Sequence, residues 1–181
     1  MKFDKIIDDG RLWSVHYDTE EQNELERLFD QWNDPEWLFQ FFSENFDDLA
    51  YFKVTNLDTA IYDTMEDSDR LECLILDISP DANLDELFLH LENNRTSEMM
   101  LGREKARIGY RPRHDSWLRI YAIKLNPGIY VITGGAIKLT FEMKDRKHTL
   151  EELQKLESVR DYLKSNGVID DDSFNDLIKE G

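Results

Sequence analysis

The sequence predicts an α+β fold that contains two β-hairpins and several helices. The first hairpin is predicted over 2–7 and 11–17, where apolar and polar side chains alternate on both sides of Asp8-Asp9-Gly10. The second is predicted over 117–140, where two such segments flank the turn Asn126-Pro127-Gly128. Between and after the hairpins, apolar residues recur every three or four positions, as in an amphipathic helix.

The N-terminal helices are predicted from capping residues that precede this helical period. Thr19 begins a capping-box sequence for a helix that ends near Trp32, and Asp34-Pro35 begins the next helix. Thr55 or Asn56 can cap a third helical region. We expect this region to be broken, because its apolar spacing changes before Ser79-Pro80.

The second half of the chain is predicted to contain a helical period over 84–94 and a long loop over 95–112. Gly134-Gly135 interrupts the last predicted strand and indicates a bulge, since neither residue has a side chain to pack. Thr149 opens a second capping box, for a helix that ends at Asn166-Gly167 and is followed by a tail helix.

The length of 181 residues favours a single domain, 1–181. The predicted domain comprises an acidic hairpin and helical part over 1–94, a basic loop, hairpin and helix over 95–165, and a tail helix over 166–181. The N-terminus has no signal-like segment, and the sequence has no apolar stretch of the roughly 18 residues needed to span a bilayer. We therefore expect a cytoplasmic protein without membrane contacts.

The charge of the chain is strongly uneven. Residues 95–148 hold twelve Lys and Arg against five acidic residues, whereas the whole chain has a net charge of −17. Such an acidic protein does not bind nucleic acid or anionic lipid over its whole surface. The sequence therefore predicts a local basic surface, with the acidic N-terminal half either masking it or leaving it open.

Within this basic window, cationic side chains are interleaved with Tyr110 and Trp117 over 103–119. Guanidinium groups bind phosphate oxygens, and aromatic rings stack on unpaired bases. The predicted RNA- or phosphate-binding residues are Arg107, Arg111, Arg113, Arg146 and Lys147. His114 and His148 are the predicted acid or base groups, because histidine exchanges protons near neutral pH. An ion-pair surface within the chain is the alternative.

Metal and cofactor sites are not predicted. The four histidines form no pair with metal-ligand spacing, and the chain has one cysteine. The sequence Gly134 to Lys138 lacks the extended loop and the following Ser or Thr of a nucleotide phosphate loop. We expect neither a metal nor a cofactor.

Residues 118–163 carry a resemblance to a known family. An Arg-bearing strand, Leu118-Arg119-Ile120-Tyr121-Ala122-Ile123, is followed by a Pro-Gly turn and by a strand that ends in Gly134-Gly135-Ala136-Ile137-Lys138. A charged amphipathic helix comes next. This arrangement resembles the last part of RelE/HigB-like toxins.

The resemblance implies a small twisted antiparallel sheet with several helices packed against one face, extended here by an N-terminal hairpin and helical part. It also implies cleavage of messenger RNA, commonly on the ribosome. Arg119 and Lys138 match the family's cationic strand positions and would stabilise phosphate charge, while Tyr121 would transfer a proton or stack on a base.

Two functions therefore remain open. The first is a toxin-like protein of a toxin–antitoxin system, which binds RNA through the basic patch and acts with an antitoxin-like regulatory protein. Whether it also cleaves RNA, without a metal ion, is an open question. The second is a non-catalytic protein-interaction module of the same fold that docks an acidic partner. Convergence of Arg119, Lys138 and a His or Tyr in one cleft favours the first, and pairing of the cations with N-terminal acids favours the second.

Overall fold

The computed structural model describes residues 1–78, 81–91, 101–108 and 114–180. It confirms the α+β class, with a six-stranded mixed sheet and helices on both faces. The strands are β1 (Lys2–Lys5), β2 (Leu12–His16), β3 (Phe88–His90), β4 (Gly102–Ala106), β5 (Leu118–Asn126) and β6 (Ile129–Ile137). The helices are α1 (Glu24–Trp32), α2 (Pro35–Glu44), α3 (Leu57–Leu76), α4 (Leu84–Leu87), α5 (Lys147–Ser165) and α6 (Asp171–Glu180), with short 3-10 helices at Phe46–Phe52 and Met143–Asp145.

The strand order is β1-β2-β6-β5-β4-β3. Both predicted hairpins are confirmed, as β1–β2 and β5–β6. The sheet is mixed, because β2 runs parallel to β6 with Leu12 opposite Tyr130, whereas the other pairs are antiparallel. The N-terminal hairpin is thus one edge of the main sheet, and the acidic and basic halves of the chain share it.

Helices cover both faces of the sheet because β5 is apolar on both sides. Ile120 and Ala122 pack in the cluster that contains the buried side chains of α1, α2 and α3. Ile123 and Leu125 pack on the opposite face against α5 and α6. The resemblance implied helices on one face only.

Two helix starts differ from prediction. Helix α1 is capped by Asn23, whose Oδ1 accepts from the amides of Leu25 and Glu26 at 3.1 and 3.2 Å, and Thr19 lies before it. Helix α5 begins before Thr149, whose hydroxyl donates to the Arg146 carbonyl at 3.0 Å. The caps at Asp34 and Asn56, the end of α5 and the tail helix are confirmed.

Helix α3 is continuous over 20 residues, so its predicted break is wrong. Its buried face contains polar side chains, among them Asp63, Thr64 and Ser68, which hide the apolar period. Thr64 is satisfied within the core, where it donates to the Ala60 carbonyl at 2.7 Å and accepts from Trp117 Nε1 at 2.9 Å. No helix among the described residues is long and apolar enough to cross a membrane.

The predicted helix over 84–94 and the loop over 95–112 are also corrected. Helix α4 has four residues and leads directly into β3, where Phe88 lies opposite Ala106 of β4. Strand β4 lies inside the predicted loop. Its inward positions include the buried Glu104, which pairs with His90 at 2.9 Å, so the strand lacks an apolar alternation.

The predicted bulge is present between β5 and β6. Tyr121 lies opposite Gly134, but Ala122 lies opposite Ile132, so Thr133 is the extra residue. Gly135 follows it in tight packing: a Cβ there would lie 2.6 Å from the Arg119 carbonyl oxygen and 2.8 Å from Leu28 Cδ1. A backbone atom this close leaves no room for a side chain.

We predict that Gly135→Ala lowers the free energy of unfolding by about 2–3 kcal/mol, because the added methyl group overpacks a rigid site. Gly128→Ala is the control, since its Cβ meets nothing within 4 Å and only its positive φ of 76° is strained. That strain costs roughly 1 kcal/mol. Urea unfolding measures both variants, and an equal or smaller loss in Gly135→Ala would contradict the packing described here.

Candidate functional site

A cleft of about 880 Å³ lies between β4, β5 and the segments that follow β6. We call it the basic cleft. Its cationic lining residues are Arg103, Lys105, Arg107, Arg119, Lys138 and Lys144. The remaining lining residues are Asp47, Asp48, Tyr51, Phe52, Leu91, Asp115, Tyr121, Leu139, Thr140, Phe141, Glu142, Met143 and Leu153.

Strand pairing brings the central side chains together. Lys105 of β4 lies opposite Tyr121 of β5, so both side chains lie on the same face of the sheet. Arg119 is two residues from Tyr121 and shares that face. Lys138 continues the β5–β6 ladder, because its amide donates to the Trp117 carbonyl at 2.8 Å. Three strands therefore contribute to one cationic group.

The cations of the cleft lower one another's pKa values, because a nearby positive charge disfavours the protonated form. Burial lowers the pKa of Lys105, and the charges of Arg119, Lys138 and Arg107 lower it further. Burial and then Arg107 lower the pKa of Arg119 to about 10. Burial and then Arg119 lower the pKa of Lys138, although Asp145 and Glu142 oppose this effect. The cleft thus holds a concentration of positive charge that an anion would stabilise.

Neutral carbonyl groups hold several of these cations in place. Arg119 Nη1 donates to the carbonyls of Ser116 and Leu118 at 2.6 and 2.7 Å. Lys105 Nζ donates to the Leu91 carbonyl at 2.9 Å, and Lys138 Nζ donates to the carbonyl of Phe141. A carbonyl orients a cation without removing its charge, so Arg119 and Lys138 remain available to an anion.

Tyr121 is the buried polar group of the cleft. Its side chain is 1% exposed, and its hydroxyl has no hydrogen-bond partner among the described residues. Burial raises its pKa, so the hydroxyl stays protonated and can donate a hydrogen bond. An unpaired buried hydroxyl costs about 1–3 kcal/mol, which an acceptor oxygen of a ligand would offset.

The structure places His114 outside the cleft lining. Its Nε2 lies 2.8 Å from Asp63 Oδ2, its Nδ1 lies 2.8 Å from the Asp115 carbonyl oxygen, and its ring stacks on Trp117. These contacts attach the segment before β5 to helix α3. The geometry therefore gives His114 a structural role, in place of the predicted acid or base.

Three further predicted residues, His148, Arg146 and Lys147, also lie outside the lining of the basic cleft. His148 Nε2 lies 2.9 Å from the Ile137 carbonyl oxygen, and its ring packs edge-on against Phe41. Arg146 makes a bidentate ion pair with Asp48, at 2.6 and 2.8 Å. Lys147 is exposed and lies 3.5 Å from Glu151. None of these three predicted residues lines the basic cleft.

Arg111 and Arg113 lie outside the described residues, so their phosphate-binding role stays a prediction. The structure does bring Arg107, Arg119, Tyr121 and Lys138 together. The sequence placed Lys105 only within the cationic segment 103–119 and assigned no role to Phe141. The two-residue spacing of Arg103, Lys105 and Arg107 is the signal that would have placed them on one face of a strand.

Comparisons with known proteins do not assign the chain to a family. No family model, no curated protein and no solved structure matches it. Within 1–78, 81–91, 101–108 and 114–180, no three His, Cys, Asp or Glu side chains are grouped so that they could hold a metal ion. The function of the cleft must therefore be argued from its own residues.

We predict that Tyr121→Phe leaves the free energy of unfolding unchanged or raises it, because the hydroxyl has no hydrogen bond to lose. The same variant should bind inorganic phosphate more weakly, since it lacks the donor. Tyr130→Phe is the control, because the Tyr130 hydroxyl donates to Asp85. Denaturation and calorimetric titration measure these effects, and a destabilised Tyr121→Phe would show that the hydroxyl is already satisfied.

Proposed function

We propose that this protein binds RNA in the basic cleft and cleaves it without a metal ion. The observation that carries the proposal is the convergence of Lys105, Arg107, Arg119 and Lys138 around the unpaired hydroxyl of Tyr121. A phosphodiester is a stable anion with several acceptor oxygens, so it matches both the charges and the donor. The toxin-like role, with an antitoxin-like regulatory protein, rests on the resemblance described above.

The cleavage reaction needs a base, an acid and groups that stabilise the charge on the phosphate, and side chains of the cleft could fill each role. The 2′-oxygen of the ribose forms a bond to phosphorus, and the bond from phosphorus to the 5′-oxygen breaks. The products are a 2′,3′-cyclic phosphate and a 5′-hydroxyl. Arg107 and Arg119 would stabilise the charge on phosphorus-bound oxygen atoms in the transition state.

Two lysines would carry out the proton transfers. The lowered pKa values of Lys105 and Lys138 increase the neutral fraction of each amine. One neutral amine would accept the proton of the 2′-hydroxyl, and the other lysine, still protonated, would donate to the departing 5′-oxygen. This assignment replaces the predicted histidines, since His114 and His148 do not line the cleft.

The alternative, an interaction module that docks an acidic protein, has one observation in its favour. Arg146 is paired with Asp48 of the acidic N-terminal part, so that cation is neutralised within the chain. Among the described residues, Arg119 and Lys138 make no such ion pair, and their side chains donate hydrogen bonds to backbone carbonyls. The central cations thus favour RNA, and the alternative gains only if RNA does not bind.

We predict that Lys138→Gln and Arg107→Gln each weaken the binding of single-stranded RNA about tenfold, because each removes a cation from the cleft. The slope of log affinity against log salt should fall by about 0.7 for each lost phosphate contact. Lys147→Gln is the matched control, since Lys147 is exposed outside the cleft. Equal losses in all three variants would contradict a specific cleft, and bound RNA without a 2′,3′-cyclic phosphate product would reject cleavage.

We also predict that affinity for a non-cleavable RNA analogue falls as the pH rises from about 7 to about 10. The sign follows from the lowered pKa values: Lys105 and Lys138 lose their charge at a lower pH than an exposed lysine, and anion binding requires that charge. Lys138→Arg should flatten this pH dependence, because arginine keeps its proton. A constant affinity over this range in the unmodified protein would contradict the prediction.

A further inference from the structure

Two large aromatic side chains line the mouth of the basic cleft. Tyr51 is 81% exposed and Phe141 is 89% exposed, and both contribute to the lining. Tyr121, in contrast, is buried at the inner end of the same cleft. The cleft therefore has a cationic floor and an aromatic rim.

Neighbouring groups contact the ring of Tyr51 and the backbone of Phe141. The Tyr51 ring packs edge-on against Phe52 at 5.1 Å, and Phe52 packs edge-on against the buried Trp117 at 5.3 Å. The backbone carbonyl of Phe141 accepts a hydrogen bond from Lys138 Nζ. The Tyr51 ring is thus supported by the core, and the backbone of Phe141 is attached to a cation of the floor.

The charges of the cleft change from floor to rim. Carboxylates on the lining include Asp48, which is paired with Arg146, and Glu142, which is paired with Lys144 at 2.7 Å. Strong anions are therefore favoured at the floor, and the rim favours an uncharged flat group. A nucleotide has this polarity, because its phosphate is anionic and its base is neutral and aromatic.

The size of the cleft further limits the class of ligand that can bind. A volume of about 880 Å³ lies within the range of about 300–1,000 Å³ for pockets that enclose one small organic ligand. A double helix keeps the faces of its bases stacked on one another, so it offers no base face on which an aromatic ring can stack. An unpaired nucleotide can place its phosphate on the floor and its base against the rim.

We propose that Tyr51 and Phe141 form a base-stacking site that restricts the cleft to single-stranded RNA. This proposal rests on the proposed function, since the phosphate of the same nucleotide would occupy the basic floor. Stacking is tolerant of base identity because every base has an aromatic face. The site selects unpaired RNA over duplex RNA without selecting a sequence.

The test compares two ligands that share one backbone and differ only in their bases. The probes are a 2′-O-methyl hexauridylate and a base-free oligomer with the same sugars and phosphates, neither of which has a free 2′-hydroxyl to react. We expect the full chain to bind the uridylate about tenfold more tightly, from a stacking contribution on the order of 1–3 kcal/mol. Tyr51→Ala and Phe141→Ala should reduce this preference and leave the affinity for the base-free oligomer unchanged.

Two matched variants accompany the measurement. Phe141→Trp should keep the preference, because tryptophan also stacks. Phe39→Ala should not alter it, since Phe39 is 54% exposed on α2 and does not line the cleft. Equal affinity of the unmodified protein for both oligomers would overturn the stacking site and leave phosphate binding intact, whereas no binding of either oligomer would overturn the proposed function itself.

Discussion

Mutual repulsion among cations on strands β4 and β5 and at the end of β6 is the interaction on which the functional account depends. Lys105, Arg119 and Lys138 all have lowered pKa values, with burial as the first cause and neighbouring cations as the second. Pairing across three strands holds them together despite this cost. Like charges held together in one cleft favour an anion as the ligand, and the proposed function rests on this preference.

The bulge connects the fold to this site. Gly135 lets β6 lie directly against the backbone at Arg119, and the next residues lead to Lys138 at the edge of the cleft. On the other side of the bulge, Glu152 of α5 accepts a hydrogen bond from the Gly135 amide at 2.9 Å. Burial raises the pKa of Glu152, and Lys155 opposes that effect as an ion-pair partner at 3.0 Å. Helix α5 is thereby attached at the point where the strand register changes.

The sequence predicted those parts of the fold whose buried faces are apolar and regular. Both hairpins belong to this class, as does helix α2 with its Asp34 cap. Prediction failed where buried positions are polar. Thr64 and Ser68 concealed the continuity of α3, and Glu104 concealed β4. The parallel contact between β2 and β6 is a long-range pairing that no local pattern contains.

The same distinction applies to the site. The sequence grouped Arg119, Tyr121 and Lys138, and the structure places them along one cleft, because strand spacing in a hairpin determines which side chains are neighbours. His114 was misplaced because composition does not show that Asp63 lies 2.8 Å away across the fold. Tyr51 belongs to the acidic N-terminal part, and no local sequence pattern shows that it lines a cleft with cations from the second half of the chain.

The most direct test is a crystal structure of the protein with a non-cleavable single-stranded RNA analogue. We expect a phosphate oxygen within hydrogen-bond distance of the Tyr121 hydroxyl, with Arg119 and Lys138 contacting the same phosphate. A strand that instead follows Arg146 and Lys147, with the basic cleft left vacant, would contradict this expectation.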